Sequence, residues 1–336
     1  MNKTLAYNDF DREFWDRELE DFVPQKIYDM HTHLWTENGQ EHLPPADGGL
    51  RTEIDFEALR RWSVQLFPRR ECHFLTLGTP IPGMDTAKHN HWLAKEVAAD
   101  QASIAAMIVT PMTTREELNN YFEKDKFHAV KPYHAFAADP RCARIVDFLP
   151  ETLLEIINEY SKAVILHLSM PDGADSPQNI ADLQYLTKKY PNIKWILAHC
   201  ARAFNSTFLE KSIHILKHLP NIYYDTSAVN DLYTHYLLLK HESPDRIMFG
   251  SDNVAAGCTR GKYITYARAW QFHPGTEQLE HCDARATLVV YEQLLQQKRA
   301  MNILELSNDT INKLFWKNAE SLINNLQREN PLYALN

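Results

Sequence analysis

The stretch Ile27–Trp35 reads IYDMHTHLW, an apolar run and an aspartate followed by two histidines one residue apart. In an extended strand the side chains alternate between two faces, so His31 and His33 point the same way and Thr32 points the opposite way. Two neutral imidazoles on one face can share a metal ion. With 16 histidines in 336 residues, chance alone gives about 0.8 such pairs. Position in the fold must therefore decide what this pair does.

Seven further apolar runs resemble this strand, and helical periodicity follows them. They begin at Cys72, Ile104, Phe127, Ala163, Ile193, Asn221 and Arg246. Helical segments lie between them, for example TTREELNNYFEKD with Thr113 or Thr114 as its cap, and NIADLQYLTKKYPN ended by Pro191. Eight βα units in roughly 250 residues are typical of a (β/α)8 barrel, whereas a doubly wound sheet usually has fewer strands and a glycine-rich phosphate loop. We therefore predict an α/β fold, a (β/α)8 TIM barrel.

The whole chain, residues 1–336, is predicted to be one barrel domain, because no linker, repeat or low-complexity tract divides it. The segments outside the eight βα units are expected to be additions to this barrel. Residues 1–25 carry Phe10, Phe14, Trp15 and Leu19 at helical spacing, which predicts a helical extension that caps the barrel or meets another subunit. Helices are also expected at the C-terminus. Residues 253–283 form an unusually long loop after the eighth strand, and such loops are usually lids or binding elements.

Composition narrows the class of protein and its partners. The formal net charge of −9 argues against a nucleic-acid surface, so a small-molecule substrate is the expected partner, together with further copies of this chain in a homo-oligomer. The cysteines number five, are dispersed and lack a C-x-x-C pair, which predicts free thiols in a reducing compartment. An acidic start and the lack of a long apolar run predict a cytoplasmic protein without membrane contact.

In a barrel the active site gathers at the carboxyl ends of the strands, where the βα loops converge. The polar residues predicted at strand ends are His31, His33, Lys131, His134, His167, His199, Asp225 and Asp252. By contrast, His89 and His91 fall in a predicted helix, where side chains two positions apart diverge by about 200° and cannot share an ion. The two histidine pairs are therefore predicted to differ in role.

A catalytic divalent metal needs imidazole and carboxylate ligands and one open coordination position. His31, His33, His167 and Asp252 supply such a set. A single histidine such as His167 or His199 is more often a satisfied core residue than a ligand. Packing all four strand-end motifs in an apolar interior would, however, leave several polar groups without partners at a high energetic cost.

Several motifs together resemble the amidohydrolase superfamily. They are DMHTH after the first strand, the histidines of VILHLS and WILAHC, the aspartate of IMFGSD and the closing FWKNAESLI. The pattern is similar to the amidohydrolase-2 branch, which includes aromatic-acid decarboxylases and lactone hydrolases. The resemblance extends from Tyr28 to about Ile323.

The resemblance implies that His31, His33, His167 and Asp252 bind the metal. It implies that His199 is a further ligand, or a polarising group and general acid/base. Binuclear members of the superfamily bridge two metals with a carbamylated lysine, for which Lys131 is the candidate here. We expect one metal, most simply zinc with manganese as the alternative, and a second only if Lys131 is carbamylated.

Other residues have predicted roles in the pocket or the core. Arg202 could bind a substrate carboxylate or form a salt bridge in its loop, and Arg260 could bind a carboxylate or be a solvated surface arginine. Tyr133 and His134 are expected to line the pocket together with Lys131. Asp29 is expected to be structural, and Cys200 is expected to be a small core residue.

Three functions follow as hypotheses. The first is metal-dependent hydrolysis of a small carboxylated substrate such as a lactone, with Asp252 as general base and His199 or the metal polarising the carbonyl. The second is non-oxidative decarboxylation of an aromatic or unsaturated acid, which the same ligands support in the family. The third is a binding barrel without chemistry, which predicts neither metal nor turnover.

Overall fold

The computed structural model describes residues 4–44, 49–125 and 127–328. Its centre is a sheet of eight parallel strands that pair in chain order from β1 to β8. They are β1 (Lys26–His33), β2 (Glu71–Leu77), β3 (Ile104–Val109), β4 (Ala129–Pro132), β5 (Ala163–Leu166), β6 (Lys194–Leu197), β7 (Ile222–Asp225) and β8 (Ile247–Met248). The ring closes where Met30 N donates to Phe249 O at 2.9 Å. The predicted TIM barrel is thus confirmed.

Helices lie between successive strands, as parallel pairing requires, and further helices precede β1 and follow β8. They are α1 (Asp9–Phe14), α2 (Phe56–Leu66), α3 (Thr86–Val97), α4 (Arg115–Glu123), α5 (Ile145–Phe148), α6 (Glu151–Glu159), α7 (Pro177–Lys189), α8 (Ile213–Leu216), α9 (Leu232–His241), α10 (Val289–Ile303), α11 (Asn308–Asn312) and α12 (Asn318–Arg328). Thr114 caps α4 in a reciprocal capping box with Glu117, which confirms one of the two predicted caps. None of the described helices is long and apolar enough to cross a membrane.

The first strand contains an irregularity that matters for the site. Its register against β2 shifts between Asp29 and Thr32, as at a β-bulge. Met30 packs in the apolar barrel interior, and yet His31 directly after it lines the cavity at the barrel mouth. A bulge re-aims the side chains that follow it. Strict alternation from Met30 would have sent His31 and His33 outward, so the irregularity brings them into the mouth.

The N-terminal end of the barrel is closed by the C-terminal helix. Leu322, Ile323 and Leu326 of α12 join the apolar cluster of the barrel interior. Lys26, the first residue of β1, binds Glu320 of α12 with Nζ and Oε1 2.7 Å apart. This closure leaves the opposite, C-terminal end of the barrel as the open one.

The N-terminal extension packs on the outside of its own barrel. After α1 the chain continues as a π-helical turn over Trp15–Leu19. The ring of Phe14 stacks on Tyr291 of α10 with centroids 6.2 Å apart, and Trp15 contacts the same tyrosine. Phe14 and Trp15 are buried, and so is Leu19 at the end of the π-helical turn.

The long segment after β8 has regular structure. A π-helical turn over Asn253–Gly257 is followed by an antiparallel hairpin of β9 (Lys262–Tyr266) and β10 (Ala269–His273). The pair His89 and His91 lies in α3, as predicted; His89 is buried and His91 is exposed.

Candidate metal centre and active site

A cavity of about 310 Å³ opens at the carboxyl ends of the strands. With the exception of Arg260, every residue predicted for the site lines this cavity, namely His31, His33, Lys131, Tyr133, His134, His167, His199, Arg202 and Asp252. A larger groove of about 550 Å³ runs along α2 and α3, but its lining contains no histidine and none of the strand-end residues. The chemistry-bearing side chains are therefore gathered in the smaller cavity.

Three of these side chains form a group that could hold a cation. One ligand atom each from His31, His199 and Asp252 lies within 4.8 Å of the others. Asp252 Oδ1 is 3.8 Å from His31 Nε2 and 3.6 Å from His33 Nε2. This oxygen is buried and makes no hydrogen bond to any residue that the structure describes. A buried carboxylate oxygen facing imidazole nitrogens at these distances fits the donor set of a divalent metal.

A carboxylate behind the group orients two of its members. Asp225 Oδ2 is 2.9 Å from His31 Nδ1, and Asp225 Oδ1 accepts from the backbone N–H of His199 and of Ser227 at 3.1 Å. Burial by itself would raise the pKa of Asp225, but His31 and the hydrogen bonds from His31 and Ser227 lower it well below its usual range. An ionised Asp225 holds the Nδ1 proton of His31 and leaves Nε2 free to bind a metal.

The other histidines of the cavity are also suited to be neutral ligands or bases. His199 Nδ1 lies 3.0 Å from Ser227 O and 2.9 Å from Ser227 Oγ. Burial, together with the nearby His31, lowers the pKa of His199 to about 4. Burial likewise holds the pKa of His33 and His167 well below the usual value. At neutral pH these rings are uncharged, as metal ligation requires.

The predicted ligand set is only partly brought together. His31, His33 and Asp252 adjoin one another as expected. Within the described residues, however, the compact group of three includes His199 and includes neither His33 nor His167. The ring of His167 lies beside that of His199, with centroids 5.2 Å apart. The geometry therefore ranks His199 above His167 as a neighbour of Asp252.

The backbone at the site adopts strained conformations. The residues of the run His199–Arg202 all have φ between +52° and +61°, and Asp252 has φ +53°. For residues with a β-carbon this region costs about 1–2 kcal/mol each. Such strain tends to collect at functional sites, where the surrounding structure enforces it. Here Asp225 accepts from the N–H of His199, and the N–H of Asp252 donates to His31 O at 2.8 Å.

Close packing at the closure of the barrel depends on one glycine. A β-carbon at Gly250 would lie 2.8 Å from Cβ of His31, nearer than such atoms approach in proteins. The missing side chain lets the end of β8 approach the end of β1 that carries His31.

Lys131 supplies a positive charge to the cavity. Its side chain is buried, and burial lowers its pKa to about 8, although Asp225 and Asp252 favour the charged form. Its ammonium hydrogen-bonds to none of the residues that the structure describes, and it lies 5.9 Å from the ring centre of Tyr133. The group can therefore meet a carboxylate of a bound molecule.

Arg202 is the second cation of the cavity. Its Nη1 donates to the backbone carbonyls of Ser169 and Met170, and burial lowers its pKa. Of the two predicted roles, the loop salt bridge is not seen among the described residues. Arg202 instead donates to carbonyl groups, which carry no charge to neutralise its own.

Tyr133 and His134 line the wall beside β4 and β5. Their rings lie 4.6 Å apart, and they lie 5.1 Å and 5.3 Å from the ring of His167. His134 Nδ1 is 2.9 Å from Pro140 O. Both residues are in the cavity lining where they were expected.

Arg260 lies away from the cavity and its predicted role in substrate binding finds no support. Its guanidinium forms a two-pronged ion pair with Asp11 of α1, at 2.9 Å and 2.6 Å, and also donates to Ala6 O. Arg260 thus fastens the N-terminal extension to the segment after β8.

Asp29 and Cys200 have surroundings that fit structural roles. Asp29 Oδ1 accepts from the N–H of Ser251 at 2.8 Å and of His31 at 3.2 Å, and burial raises its pKa to about 7. Asp29 therefore ties β1 to the end of β8. Cys200 is buried in the core, and burial raises its pKa well above the usual value.

Some residues of the site were missed from sequence. The sequence pattern indicates Asp225 only as a residue that ends a strand, and no motif points to Ser227. Phe204, Tyr263 and Trp270 also line the cavity. The length of the segment after β8 was the only signal for the two aromatic residues of the hairpin, since nothing in sequence tells which of its side chains turn inward.

Comparisons with solved structures show the same fold. A hydratase of 4-oxalomesaconate from Rhodopseudomonas palustris is 16% identical, with a TM-score of 0.55 over 92% of this chain and 98% of that one. A dihydroxybenzoic acid decarboxylase from Polaromonas, solved with manganese and 2-nitroresorcinol, is 15% identical, with a TM-score of 0.55 over 92% and 99%. A probable 2-pyrone-4,6-dicarboxylic acid hydrolase from Acinetobacter baumannii, with citric acid bound, is 12% identical, with a TM-score of 0.58 over 89% and 99%.

Comparison of the sequence with curated proteins gives no match. A family model described as amidohydrolase, of the amidohydrolase-2 type, matches residues 28–324. The matched residues run from the first strand, with its two histidines, to the C-terminal helix that closes the barrel. The chain therefore belongs to the amidohydrolase-2 family.

Proposed function

We propose that this protein is a metal-dependent hydrolase of a small carboxylated substrate such as a lactone. The observation that carries the proposal is the buried Asp252 Oδ1, which lacks a hydrogen bond among the described residues and faces His31 Nε2 and His33 Nε2. A buried carboxylate that faces two imidazoles can bind a metal ion together with them, and it can also accept a proton from a water molecule.

The residues that would hold one divalent cation are His31, His33, His167 and Asp252, with zinc as the expected ion and manganese as the alternative. When bound, such a cation lowers the pKa of a water molecule and polarises a carbonyl group. His199 is assigned the acid/base role; its closeness to Asp252 makes it the competitor of His167 for a ligand position.

The side chains of the cavity divide the remaining work. Asp252 accepts the proton of the attacking water. His199, which is uncharged because burial and neighbouring His31 lower its pKa to about 4, passes this proton on to the oxygen that leaves the carbonyl carbon when the C–O bond of the lactone breaks. Lys131 and Arg202 bind the substrate carboxylate, and Tyr133 and His134 complete the wall.

A second candidate is non-oxidative decarboxylation of an aromatic or unsaturated acid. The observation that favours it is the aromatic character of the cavity, since the stacked rings of Phe204 and Trp270 line the same cavity as Lys131 and Arg202. Similarity in fold extends to a decarboxylase as well as to a hydrolase, so the products must discriminate the two reactions.

The test uses the full chain stripped of metal and then loaded with zinc or manganese. We expect elemental analysis to find about one equivalent of divalent metal in the active protein. Lactones and aromatic acids are then offered, and release of acid from a lactone is measured against release of carbon dioxide. Carbon dioxide release alone would replace the first proposal by the second.

The matched variant is Asp252→Asn. Turnover should fall by about 10² to 10⁴ because a proton acceptor is lost, while circular dichroism stays unchanged. A near-normal rate with full metal occupancy would remove Asp252 from its assigned role. Active protein with less than a tenth of an equivalent of metal would overturn the metal-dependent proposal altogether.

A further inference from the structure

Three aromatic rings cover the cavity on the side of β6 and the hairpin. Trp270 of β10 stacks on Phe204, with centroids 4.3 Å apart and ring planes at 25°. Tyr263 of β9 lies 5.3 Å from Phe204 and 5.6 Å from Trp270. Phe204 in turn lies 5.3 Å from the ring of His199. The aromatic cluster thus runs from the hairpin to the proposed acid/base residue.

The hairpin is fastened at its turn by one buried side chain. Asn205 Nδ2 donates to Ala267 O and to Ala269 O, each at 3.0 Å. Asn205 is only 3% exposed, and its own Oδ1 is held by Thr207. These bonds bridge the two residues that flank Arg268 at the tip of the hairpin, so the tip is tied to the chain segment that carries Phe204.

The base of the hairpin is fastened as well. Asn230 Oδ1 accepts from Tyr263 N at 2.7 Å, and Gly261 N donates to Thr287 O at 2.9 Å. A segment bonded at both ends to the barrel behaves as a wall and not as a swinging lid.

We propose that this hairpin is a fixed aromatic wall that makes the site select flat, conjugated carboxylates over saturated ones, with Trp270 as the specificity-determining residue and Asn205 as the positioning residue. The proposal rests on the proposed function, because it assumes that Lys131 and Arg202 bind a carboxylate. A planar ring stacks on an aromatic face at close range, whereas a puckered saturated ring cannot.

The size of the cavity agrees with one small ring. A volume of about 310 Å³ lies at the lower end of the range for ligand sites. Rings of Tyr133 and His134 also line the cavity, beside that of His167. A flat molecule can contact rings on two sides of such a space while its carboxylate meets Lys131.

The test measures binding to the zinc-loaded full chain by calorimetry, with benzene-1,3-dicarboxylate and cyclohexane-1,3-dicarboxylate as probes of equal charge. The wild type should bind the flat probe about tenfold more tightly than the saturated one. Trp270→Ala should reduce this preference to about twofold or less by weakening only the flat probe, and Trp270→Phe should keep most of it.

The matched control is Tyr266→Ala, since Tyr266 lies on the same hairpin, is 53% exposed and does not line the cavity. This control should keep the full preference. An unchanged preference in Trp270→Ala, or no preference in the wild type, would overturn the proposal.

Asn205→Ala tests the positioning role separately. We expect faster hydrogen exchange of the amides in residues 262–273, an increased KM for flat substrates and a kcat within about twofold of the wild type. Unchanged exchange and an unchanged KM would remove Asn205 from this role. Probe binding needs no turnover, so the two proposals can fail separately. A preference for the flat probe in a protein without metal-dependent activity would contradict the proposed function but support the role of the hairpin.

Discussion

His31 Nδ1 and Asp225 Oδ2 lie 2.9 Å apart, so a histidine of the first strand is oriented by a carboxylate at the end of the seventh. The same carboxylate accepts from the backbone N–H of His199 through its other oxygen. One buried acid therefore sets the direction of two imidazoles of the candidate metal centre.

Replacing this acid should weaken metal binding. In Asp225→Asn the amide is a neutral and weaker acceptor for the Nδ1 proton of His31, and losses of this kind typically cost about 10- to 100-fold in metal affinity. Competition with a chelator measures the affinity. Asp283→Asn, at an exposed aspartate paired with Arg285, is the control; equal affinities in the two variants would contradict the prediction.

Substitutions of His167 and His199 should have different effects on metal content and on turnover. If His167 is the ligand and His199 the acid/base residue, His167→Ala loses most of its metal, and His199→Ala keeps more than half of it but turns over at least about 10²-fold more slowly. Metal content and rate are measured on the same preparations. The reverse result would make His31, His199 and Asp252 the true ligand group.

Lys131→Ala should weaken substrate binding and leave the metal content near one per chain. The lysine is buried without a hydrogen bond among the described residues, so its charge is available to a carboxylate. KM and metal content are the measurements. A wild type that contains two metals, and a variant that loses one of them and partly regains it with added short carboxylic acids, would instead indicate a bridging carbamate.

Arg260→Ala should lower stability and leave KM unchanged. Its partner Asp11 has a fully buried side chain, whereas Arg260 is 30% exposed and Thr287 and Asn8 also donate to Asp11. The loss should therefore be smaller than the ~3–5 kcal/mol of a fully buried pair, at about 1–3 kcal/mol. Urea unfolding measures the loss. Arg268→Ala, at a side chain that is 68% exposed, should cost far less. An increased KM with normal stability would restore Arg260 to the substrate site.

His89 should make the protein sensitive to acid. Its Nε2 accepts from Thr79 N at 3.1 Å, and burial lowers its pKa from 6.5 to about 3. Between these two pH values His89 is protonated in the unfolded chain but not in the folded chain. Its contribution to the free energy of unfolding is therefore fully present above pH 6.5, and it falls by about 1.4 kcal/mol for each pH unit below that.

His89→Gln removes that titration, and its amide oxygen can still accept from Thr79. The variant should therefore be less stable at pH 7 but lose less stability between pH 7 and pH 5, as urea midpoints will show. Parallel pH dependences of the wild type and the variant would contradict the assignment.

Much of the architecture was predictable because it depends on local sequence patterns. Each strand is an apolar run, each helix has its own periodicity and cap, and parallel strands separated by helices leave few alternatives to a barrel. The same logic located His31, His33, His199 and Asp252, since polar residues that end parallel strands must converge.

What the sequence determined by itself is therefore the barrel and the set of residues at its mouth, because both follow from short-range periodicity and strand direction. Tertiary structure alone decided which partners those residues have. Arg260 follows Asp252 closely in the chain, yet its partner is Asp11, 249 positions away. The bulge in β1 turns His31 inward after the buried Met30, and the fold of the hairpin brings Trp270 onto Phe204. Such contacts join distant segments, and no local pattern encodes them because they form only when the whole chain has packed.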